Sequence, residues 1–221
     1  MWKAGRAPKR PFPHVLRPGF WLAPGMRVGL FGGSFNPAHE GHAHVAETAR
    51  ERLRLDRVIW LVSPQNPLKS SRETAPPAER MAGARAVARG PGMIVTDVET
   101  RLGSQYTIDT LRALKARHPG VKFVWIMGAD SLAGFHRWRG WTQILREAPV
   151  AVVARPGAGM KARLSPAARR FAFARVPAER ARTLTDRAPP AWTFLTAPLN
   201  FQSSTALRER MRPLDEIVRP R

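Results

Sequence analysis

The sequence predicts an α/β protein built on a doubly wound, mostly parallel sheet. Short runs that are almost wholly apolar alternate with segments of helical periodicity along most of the chain. A strand that is apolar on both faces is typical of a parallel sheet covered by helices on both sides. The length of 221 residues suits one domain. We therefore expect a single-domain, Rossmann-like fold.

Strands and helices are predicted in alternating order. The first apolar run, MRVGLF, stops at Gly32-Gly33 as a buried strand would, and Val45, Ala46, Ala49 and Leu53 follow at helical spacing. The predicted elements are a strand at 26–31, a helix including 45–53, a strand at 57–62, a helix at about 78–89, a strand at 93–99, a helix at 106–120, strands at 121–128, 149–157 and 191–195, and a helix at 203–211.

Two basic segments flank or interrupt this pattern. Residues 1–25 carry five basic and no acidic side chains among several prolines, which predicts an extended N-terminal arm before a domain at 26–221. Residues 158–190 show little apolar periodicity, which predicts a basic surface excursion with a short helix.

Composition excludes several classes of function. The absence of cysteine rules out disulfides, thiolate metal sites, iron–sulfur clusters and a cysteine nucleophile. No apolar run approaches the roughly 18 residues of a membrane span, and the basic start lacks the apolar stretch of a secretory signal. We expect a soluble, cytoplasmic protein.

The net charge of +21 has two interpretations. It could indicate a polyanionic partner, either a nucleic acid or phosphorylated substrates. Only six of the 37 basic residues are lysine, however, and Ala, Pro and Gly are abundant, which favours a compositional bias of the source. We therefore do not expect a nucleic-acid partner, and attraction of anionic substrates is a by-product of the charge.

The most informative segment is GLFGGSFNPAHEGHAHVAETA, at 29–49. Ligands of open α/β sheets bind beyond the carboxyl ends of the strands, where the first strand turns into its helix. Gly32 and Gly33 allow close backbone approach there, and His39 and His42 follow at the predicted helix start. A helix start binds phosphate, and imidazoles add donors for developing charge. A metal-binding pair or ordinary surface histidines are the alternatives, and His44 is expected to be structural or exposed.

Two motifs carry a resemblance to a known superfamily. GGSFNPAHEGH resembles the HxGH signature of nucleotidylyltransferases, and QSSTALRER, at 202–210, resembles their SSTxxR signature. Within the superfamily the chain is similar to the bacterial nicotinate-nucleotide adenylyltransferases. Their further motifs occur in order as VSPQNPLK, SQYTIDTL, WIMGADSL, FHRWRGWTQI and RPG. The sequence departs from the usual family pattern at Asn36, where Asp is commoner, and at 66–69, where Pro-Pro-His-Lys is commoner.

The resemblance implies transfer of AMP from ATP to nicotinate mononucleotide, with Mg²⁺ accompanying ATP. Mg²⁺ needs few protein ligands, so the sequence assigns no metal-binding residues. His39 and His42 would hold the phosphates and stabilise the transition state. The implied ATP-binding residues are Gly32, Gly33, Ser34, Phe35, Gly128, Asp130, Arg155, Ser203, Ser204, Thr205 and Arg208. The implied mononucleotide-binding residues are Asn66, Lys69, Thr107, Asp130 and Trp138.

Structural roles are the alternative for several of these residues. The serine cluster is also a plain helix cap, and Asp130 another. Trp138 is also a candidate for core packing, and Lys69 and Arg155 are also candidates for solvated surface charges.

Rival functions are a sibling adenylyltransferase acting on nicotinamide mononucleotide or pantetheine phosphate, a class I aminoacyl-tRNA synthetase fragment, and a non-enzymatic nucleic-acid-binding module. A KMSKS loop is absent from the sequence, which counts against the synthetase. A homo-oligomer is compatible with the sequence.

Overall fold

A computed structural model describes residues 19–64, 74–198 and 200–211. Its centre is a seven-stranded sheet with the order β3-β2-β1-β4-β5-β7-β6, in which all neighbouring strands pair in parallel. The strands are β1 (Arg27–Gly33), β2 (Arg57–Val62), β3 (Met93–Thr96), β4 (Lys122–Gly128), β5 (Val150–Val153), β6 (Arg175–Val176) and β7 (Trp192–Leu195). The prediction of a doubly wound, parallel α/β fold is confirmed.

Helices connect the strands and cover both faces of the sheet. They are α1 (Glu40–Leu53), α2 (Pro77–Val87), α3 (Val98–Arg101), α4 (Thr107–Arg117), α5 (Ala129–Gly134), α6 (Trp141–Glu147), α7 (Gly159–Arg163), α8 (Pro166–Arg170) and α9 (Ser204–Met211). Short 3-10 helices occupy Phe135–Arg137, Ala172–Ala174 and Ala178–Asp186.

Hydrophobic side chains fill a core layer on each face of the sheet. Leu30 and Trp125 pack into one layer, whereas Phe31, Trp60 and Ile126 pack into the other. Alternate residues of a strand point to opposite faces, so a strand buried on both sides must be apolar at every position. This is why β1, β2 and β4 read as continuous apolar runs.

Strand order places a binding crevice between β1 and β4. β1 pairs with β2 on one side and with β4 on the other, so the connection after β1 leads toward β2 and the connection after β4 leads the opposite way, toward β5. The crevice beyond the carboxyl ends of strands at such a switch point is where open α/β sheets bind ligands. A ligand-binding site is therefore expected at the connections that follow β1 and β4.

The third strand is shorter than predicted. β3 ends at Thr96, and Val98 and Glu99, predicted to continue the strand, lie in α3. The hydroxyl oxygen of Thr96 accepts a hydrogen bond from the Val98 amide at 3.2 Å, and Asp97 pairs with Arg101 at 2.9 Å. These local contacts start a helix and outweigh the strand propensity of the following Val98.

The basic segment at 158–190 is less peripheral than the prediction of a surface excursion. It buries Phe171, Val176 and Leu184, and it contributes β6, the edge strand beside β7. Its short helices each supply only one or two buried positions, many of them alanine. Such scattered small residues produce no visible periodicity in the sequence.

The described end of the N-terminal arm lies against the domain. Leu22 is buried in the core, and the ring of Phe20 stacks on His118 with centroids 5.8 Å apart. The Gly25 amide donates to the Gly120 carbonyl at 2.8 Å, whereas Trp21 is exposed. Residues 1–18 of the predicted arm lie outside the described residues.

Among the residues that the structure describes, no helix has the length and apolarity needed to cross a bilayer.

Candidate active site

A cavity of about 610 Å³ lies at the carboxyl ends of β1 and β4. Most of the residues singled out from the sequence line it together. These are Gly32, Gly33, Ser34, Phe35, His39, His42, Thr107, Gly128, Asp130, Trp138, Arg155, Ser203, Ser204, Thr205 and Arg208. Asn66 and Lys69 lie outside the described residues.

Two glycines let the end of β1 pack closely against aromatic rings. A Cβ added to Gly32 would lie 2.5 Å from the ring of Trp125, and one added to Gly33 would lie 3.0 Å from the ring of Phe35. The backbone therefore borders the cavity without an intervening side chain. Such exposed main-chain groups are what a phosphate-binding turn requires.

Phe35 shapes the wall beneath the histidines. It has a positive φ of 46° and is only 1% exposed. Its ring meets that of His42 edge-on, with centroids 5.1 Å apart. The side chain is thus mostly held in the core layer, and it orients the second imidazole.

The two histidines form a close pair at the start of α1, with their ring planes tilted by 37°. Their ring centroids lie 3.9 Å apart. Nδ1 of His39 accepts from the Gly41 amide at 3.1 Å, and Nδ1 of His42 accepts from the His39 amide at 3.3 Å. Because each Nδ1 accepts a hydrogen bond, a neutral ring carries its proton on Nε2. Both imidazoles can therefore donate through Nε2.

Burial keeps His39 neutral. The pKa of His39 is lowered to about 4, mainly by desolvation and further by the neighbouring Arg155, while Asp130 acts in the opposite direction. Burial disfavours the charged imidazolium, and a nearby cation adds to that effect. At neutral pH His39 is consequently a neutral hydrogen-bond donor that needs no deprotonation partner.

The start of α9 is tied to the turn between β1 and α1. The Ser204 hydroxyl donates to the Pro37 carbonyl at 3.0 Å, and Arg208 donates to the Asn36 carbonyl at 2.6 Å. The Glu40 amide donates to the Gln202 side chain at 3.0 Å. These bonds bring together two segments that are more than 160 residues apart in sequence.

Arg155, which follows β5, holds the same two segments together. Its guanidinium donates to the Gly41 carbonyl and to the Gln202 carbonyl, both at 2.9 Å. A Cβ on Gly41 would lie 2.9 Å from Arg155 Nη1, from the Gln202 carbonyl oxygen and from the His39 ring. The arginine is therefore more than a solvated surface charge.

Asp130 follows β4 in the first turn of α5. Its Oδ1 accepts from the Ser131 amide at 2.9 Å, and the side chain remains exposed at the cavity. The same oxygen occupies the space that a Cβ on Gly128 would need, as does the Arg155 side chain. Gly128 thus lets the carboxylate and the arginine approach the strand end.

The far end of the cavity is aromatic and basic. Trp138 is half-buried, and its ring meets Phe135 and Trp125 edge-on at 5.2 and 6.3 Å. Thr107 begins α4, and Arg139 lies 4.4 Å over the ring of Tyr106. Trp138 therefore both packs against core aromatics and lines the cavity.

Sequence reasoning missed several lining residues: Phe31, Val45, Ser63, Glu99, Gln105, Tyr106, Trp125, Ser131, Gly134, Arg137 and Arg139. Arg137 and Arg139 had a signal, because they flank Trp138, which the family resemblance assigns to the mononucleotide. Glu99 had none, because its segment was predicted to be a strand.

Glu99 is a buried carboxyl at the edge of the cavity. It is 6% exposed, and Thr110 donates to its Oε1 at 3.0 Å. Burial raises the pKa of Glu99 to about 7, with the Thr110 hydrogen bond acting in the opposite direction. Thr110 also contacts the Ser104 hydroxyl at 3.1 Å, so Glu99 belongs to the network that holds the turn before α4.

The donor set suits phosphate groups better than a resident metal. Among the residues that the structure describes, no group of three or more His, Asp or Glu side chains could hold a metal ion. Imidazole N–H groups, a helix start and guanidinium groups are instead ligands for phosphate oxygens.

The fold and this cavity define the class of nucleotidylyltransferases, and comparison with known proteins agrees. A family model described as Cytidylyltransferase-like matches residues 30–210. A relative from Caulobacter sp. (strain K31), named "Probable nicotinate-nucleotide adenylyltransferase", is 78% identical over 185 residues, which cover 84% of this chain and 98% of the relative. A relative of the same name from Cereibacter sphaeroides (strain ATCC 17025 / ATH 2.4.3) is 57% identical, and the match covers 83% of this chain and 97% of the relative. Another, from Roseobacter denitrificans, is 52% identical, and the match covers 88% of this chain and 98% of the relative.

The chain belongs to the nicotinate-nucleotide adenylyltransferase family, as the sequence motifs predict. A solved structure of the Plasmodium falciparum nicotinic acid mononucleotide adenylyltransferase complexed with NaAD superposes with a TM-score of 0.62, covering 87% of this chain and 88% of that one. At 15% sequence identity this likeness shows a shared fold.

Proposed function

We propose that the protein transfers AMP from ATP to nicotinate mononucleotide in the synthesis of NAD, releasing pyrophosphate. The main support for this proposal is that the His39–His42 pair and the start of α9 line the same cavity. Family membership supports the same reaction. The cavity volume of about 610 Å³ lies within the range of nucleotide-sized ligand sites.

In this reaction a phosphate oxygen of the mononucleotide attacks the α-phosphorus of ATP. A new P–O bond forms as the bond to the β-phosphate oxygen breaks, and pyrophosphate leaves with that electron pair. Such transfers depend on positioning and charge neutralisation, and they need no nucleophilic side chain. Mg²⁺ would enter with the ATP substrate and neutralise part of the phosphate charge.

The β1–α1 turn and α9 supply the ATP half of the proposed site. Nε2–H groups of His39 and His42 stabilise the charge that develops on the reacting phosphates. The backbone of 32–35 and the start of α9 donate to the triphosphate, and Arg208 adds a charge-assisted contact. The Ser204 hydroxyl already donates to Pro37, so Ser204 acts through its backbone amide and through the position of α9.

Thr107, Asp130 and Trp138 form the mononucleotide half. Trp138 stacks on the pyridine ring, Thr107 and its neighbouring amides lie near the carboxylate, and Asp130 binds ribose. Arg137 and Arg139 line this end of the cavity, and their charge favours the acid over the amide form of the substrate. Asn66 and Lys69 are proposed contacts from sequence alone.

The reaction is tested by incubating the protein with MgATP and either nicotinate or nicotinamide mononucleotide. We expect stoichiometric pyrophosphate and nicotinate adenine dinucleotide, identified by mass, with a higher kcat/KM for the acid. Turnover with pantetheine phosphate instead, or salt-sensitive RNA binding without turnover, would reject the proposal. The substrates are cytoplasmic metabolites, so we also propose a cytoplasmic location.

A further inference from the structure

Arg80, on α2, is a buried charged side chain that the reaction scheme does not use. It is 2% exposed. Its guanidinium donates four hydrogen bonds of 2.7–2.9 Å to backbone carbonyls, from Nε to Ala75, from Nη1 to Ser34 and Ser63, and from Nη2 to Pro64. Burial lowers the pKa of Arg80, and no carboxylate within the described ranges forms an ion pair with it.

The four carbonyls belong to three separate segments around the cavity. Ser34 lies in the turn between β1 and α1, Ser63 and Pro64 follow β2, and Ala75 precedes α2. Ser34 and Ser63 both line the cavity. The Ala75 amide also donates to the Asn36 side chain at 3.1 Å, which closes the link between the first and third segments.

Two of these carbonyls flank the stretch at 65–73. Pro64 is its preceding neighbour, and Ala75 lies just beyond its other end. The family resemblance implies that Asn66 and Lys69 of that stretch contact the mononucleotide. One guanidinium therefore joins the turn that leads to His39 with both flanks of a predicted substrate loop.

We propose that Arg80 is a positioning residue for adenylyl transfer, which holds the phosphate-binding turn, the end of β2 and the start of α2 in register. This inference rests on the proposed function. The planar fork of a guanidinium presents several directed donors, whereas a lysine offers one ammonium nitrogen at the end of a flexible chain. The shape of the group, rather than its charge alone, is what three segments require.

The kinetic test compares Arg80→Lys with Arg85→Lys, the same substitution at an exposed position of α2. At a temperature well below both melting transitions, we expect Arg80→Lys to lower kcat/KM by about 10²-fold, since displacement of about 1 Å has that effect. The loss should be divided between a lower kcat and a higher KM for the mononucleotide. Arg85→Lys should stay within about twofold of wild type.

Amide hydrogen exchange provides a readout that does not depend on activity. In Arg80→Lys, peptides covering 34–37 and 74–76 should exchange about tenfold faster, while those from β4 and β5 stay protected, because only local contacts are removed. Wild-type exchange at 34–37 and 74–76, or wild-type kinetics in a folded Arg80→Lys protein, would overturn the positioning role.

Arg80→Gln serves as a second variant should the lysine variant not fold. Failure of both to fold at any temperature would make Arg80 a residue of general stability and would also overturn the proposal. If the wild-type chain itself forms no dinucleotide, the proposed function fails, and hydrogen exchange still decides whether Arg80 holds the three segments together.

Discussion

At the scale of single residues, the paired histidines are the part of the site that geometry defines best. Each Nδ1 is occupied by a backbone amide, and burial holds His39 neutral. The pair therefore presents two N–H donors without adding two full charges next to one another. This arrangement suits a phosphate whose charge rises during reaction.

Removing one of these donors should affect chemistry more than folding. His42→Ala is expected to lower kcat by about 10²–10³-fold, like the loss of a preorganised oxyanion donor. The circular dichroism spectrum should be unchanged. His44→Ala, on the same helix, is the control and should retain near-normal turnover. A His42→Ala enzyme with wild-type kcat would remove this residue from the mechanism.

Trp138 is expected to recognise the pyridine ring. An aromatic stack contributes about 0.5–1.5 kcal/mol beyond area burial, so Trp138→Ala should raise the KM for the mononucleotide several-fold and leave the KM for ATP little changed. Its contacts with Phe135 and Trp125 add a moderate loss of stability.

A large fall in melting temperature, with equal losses for both substrates, would instead assign Trp138 to packing. Creating a cavity in place of a core tryptophan costs about 3–5 kcal/mol. Both KM values and the melting temperature should therefore be measured on one preparation.

Because of Glu99, the free energy of unfolding should fall as the pH rises. Its pKa is about 7 in the fold and 4.5 as a reference, so the folded state binds more protons between these values. The stabilisation is complete below about pH 4.5 and is lost by about pH 7, a change on the order of 3 kcal/mol. Urea denaturation from pH 4.5 to 8 should show this loss in wild type relative to Glu99→Gln.

The exposed Glu79 provides the matched control for that experiment. Glu79→Gln should follow the wild-type pH dependence. Parallel curves for wild type and Glu99→Gln would show that Glu99 titrates in the fold as it does in the unfolded chain.

At the scale of elements, the site depends on close contact between helix starts and strand ends. Gly41, in the first turn of α1, has no room for a side chain, because Arg155, Gln202 and His39 surround it. Substitution there must move the histidine or the start of α9. The site therefore depends on glycine at this position, which allows the elements to approach closely, as well as on its reactive groups.

Gly41→Ala is therefore expected to reduce kcat/KM by at least about tenfold, and up to about 10²-fold, through displacement of the phosphate-binding groups. Gly83→Ala is the control, because α2 leaves open space there. That control should retain activity and gain up to about 1 kcal/mol of stability from helix propensity. Full activity in Gly41→Ala would show that the turn tolerates displacement.

Local patterns predicted some elements better than others for identifiable reasons. β1, β2 and β4 are buried on both faces, so each appears as an unbroken apolar run. α3 was missed because Val98 and Glu99 continue the β-like pattern of 93–96, and the Thr96 and Asp97 contacts that begin the helix are local polar ones. β6 was missed because a strand of two residues is too short to show an alternation of apolar and polar residues.

The same reasoning explains which parts of the site were predicted. His39, Ser34 and Ser204 lie in motifs whose residues are neighbours in sequence. Glu99 and Arg80 act through contacts that form only after folding, such as the bond from Arg80 to Ser34 across 46 residues. A single sequence contains no local signal for such contacts.

At the scale of the whole molecule, one cavity collects groups from both ends of the chain. β1 and α1 lie near the start of the domain and α9 near its end, and Arg155 bonds to both segments. This closure places the proposed phosphate ligands next to the aromatic, basic end that surrounds Trp138. The central claim is that the two halves bring ATP and nicotinate mononucleotide into line for adenylyl transfer.

The most direct test of that claim uses ATP labelled with ³²P at the α-phosphate and follows the label into the products. With nicotinate mononucleotide and Mg²⁺, the label should appear in the dinucleotide at the same rate as unlabelled pyrophosphate is released, and His42→Ala should slow both equally. Label that stays in free AMP, or pyrophosphate released at the same rate without the mononucleotide, would contradict the account.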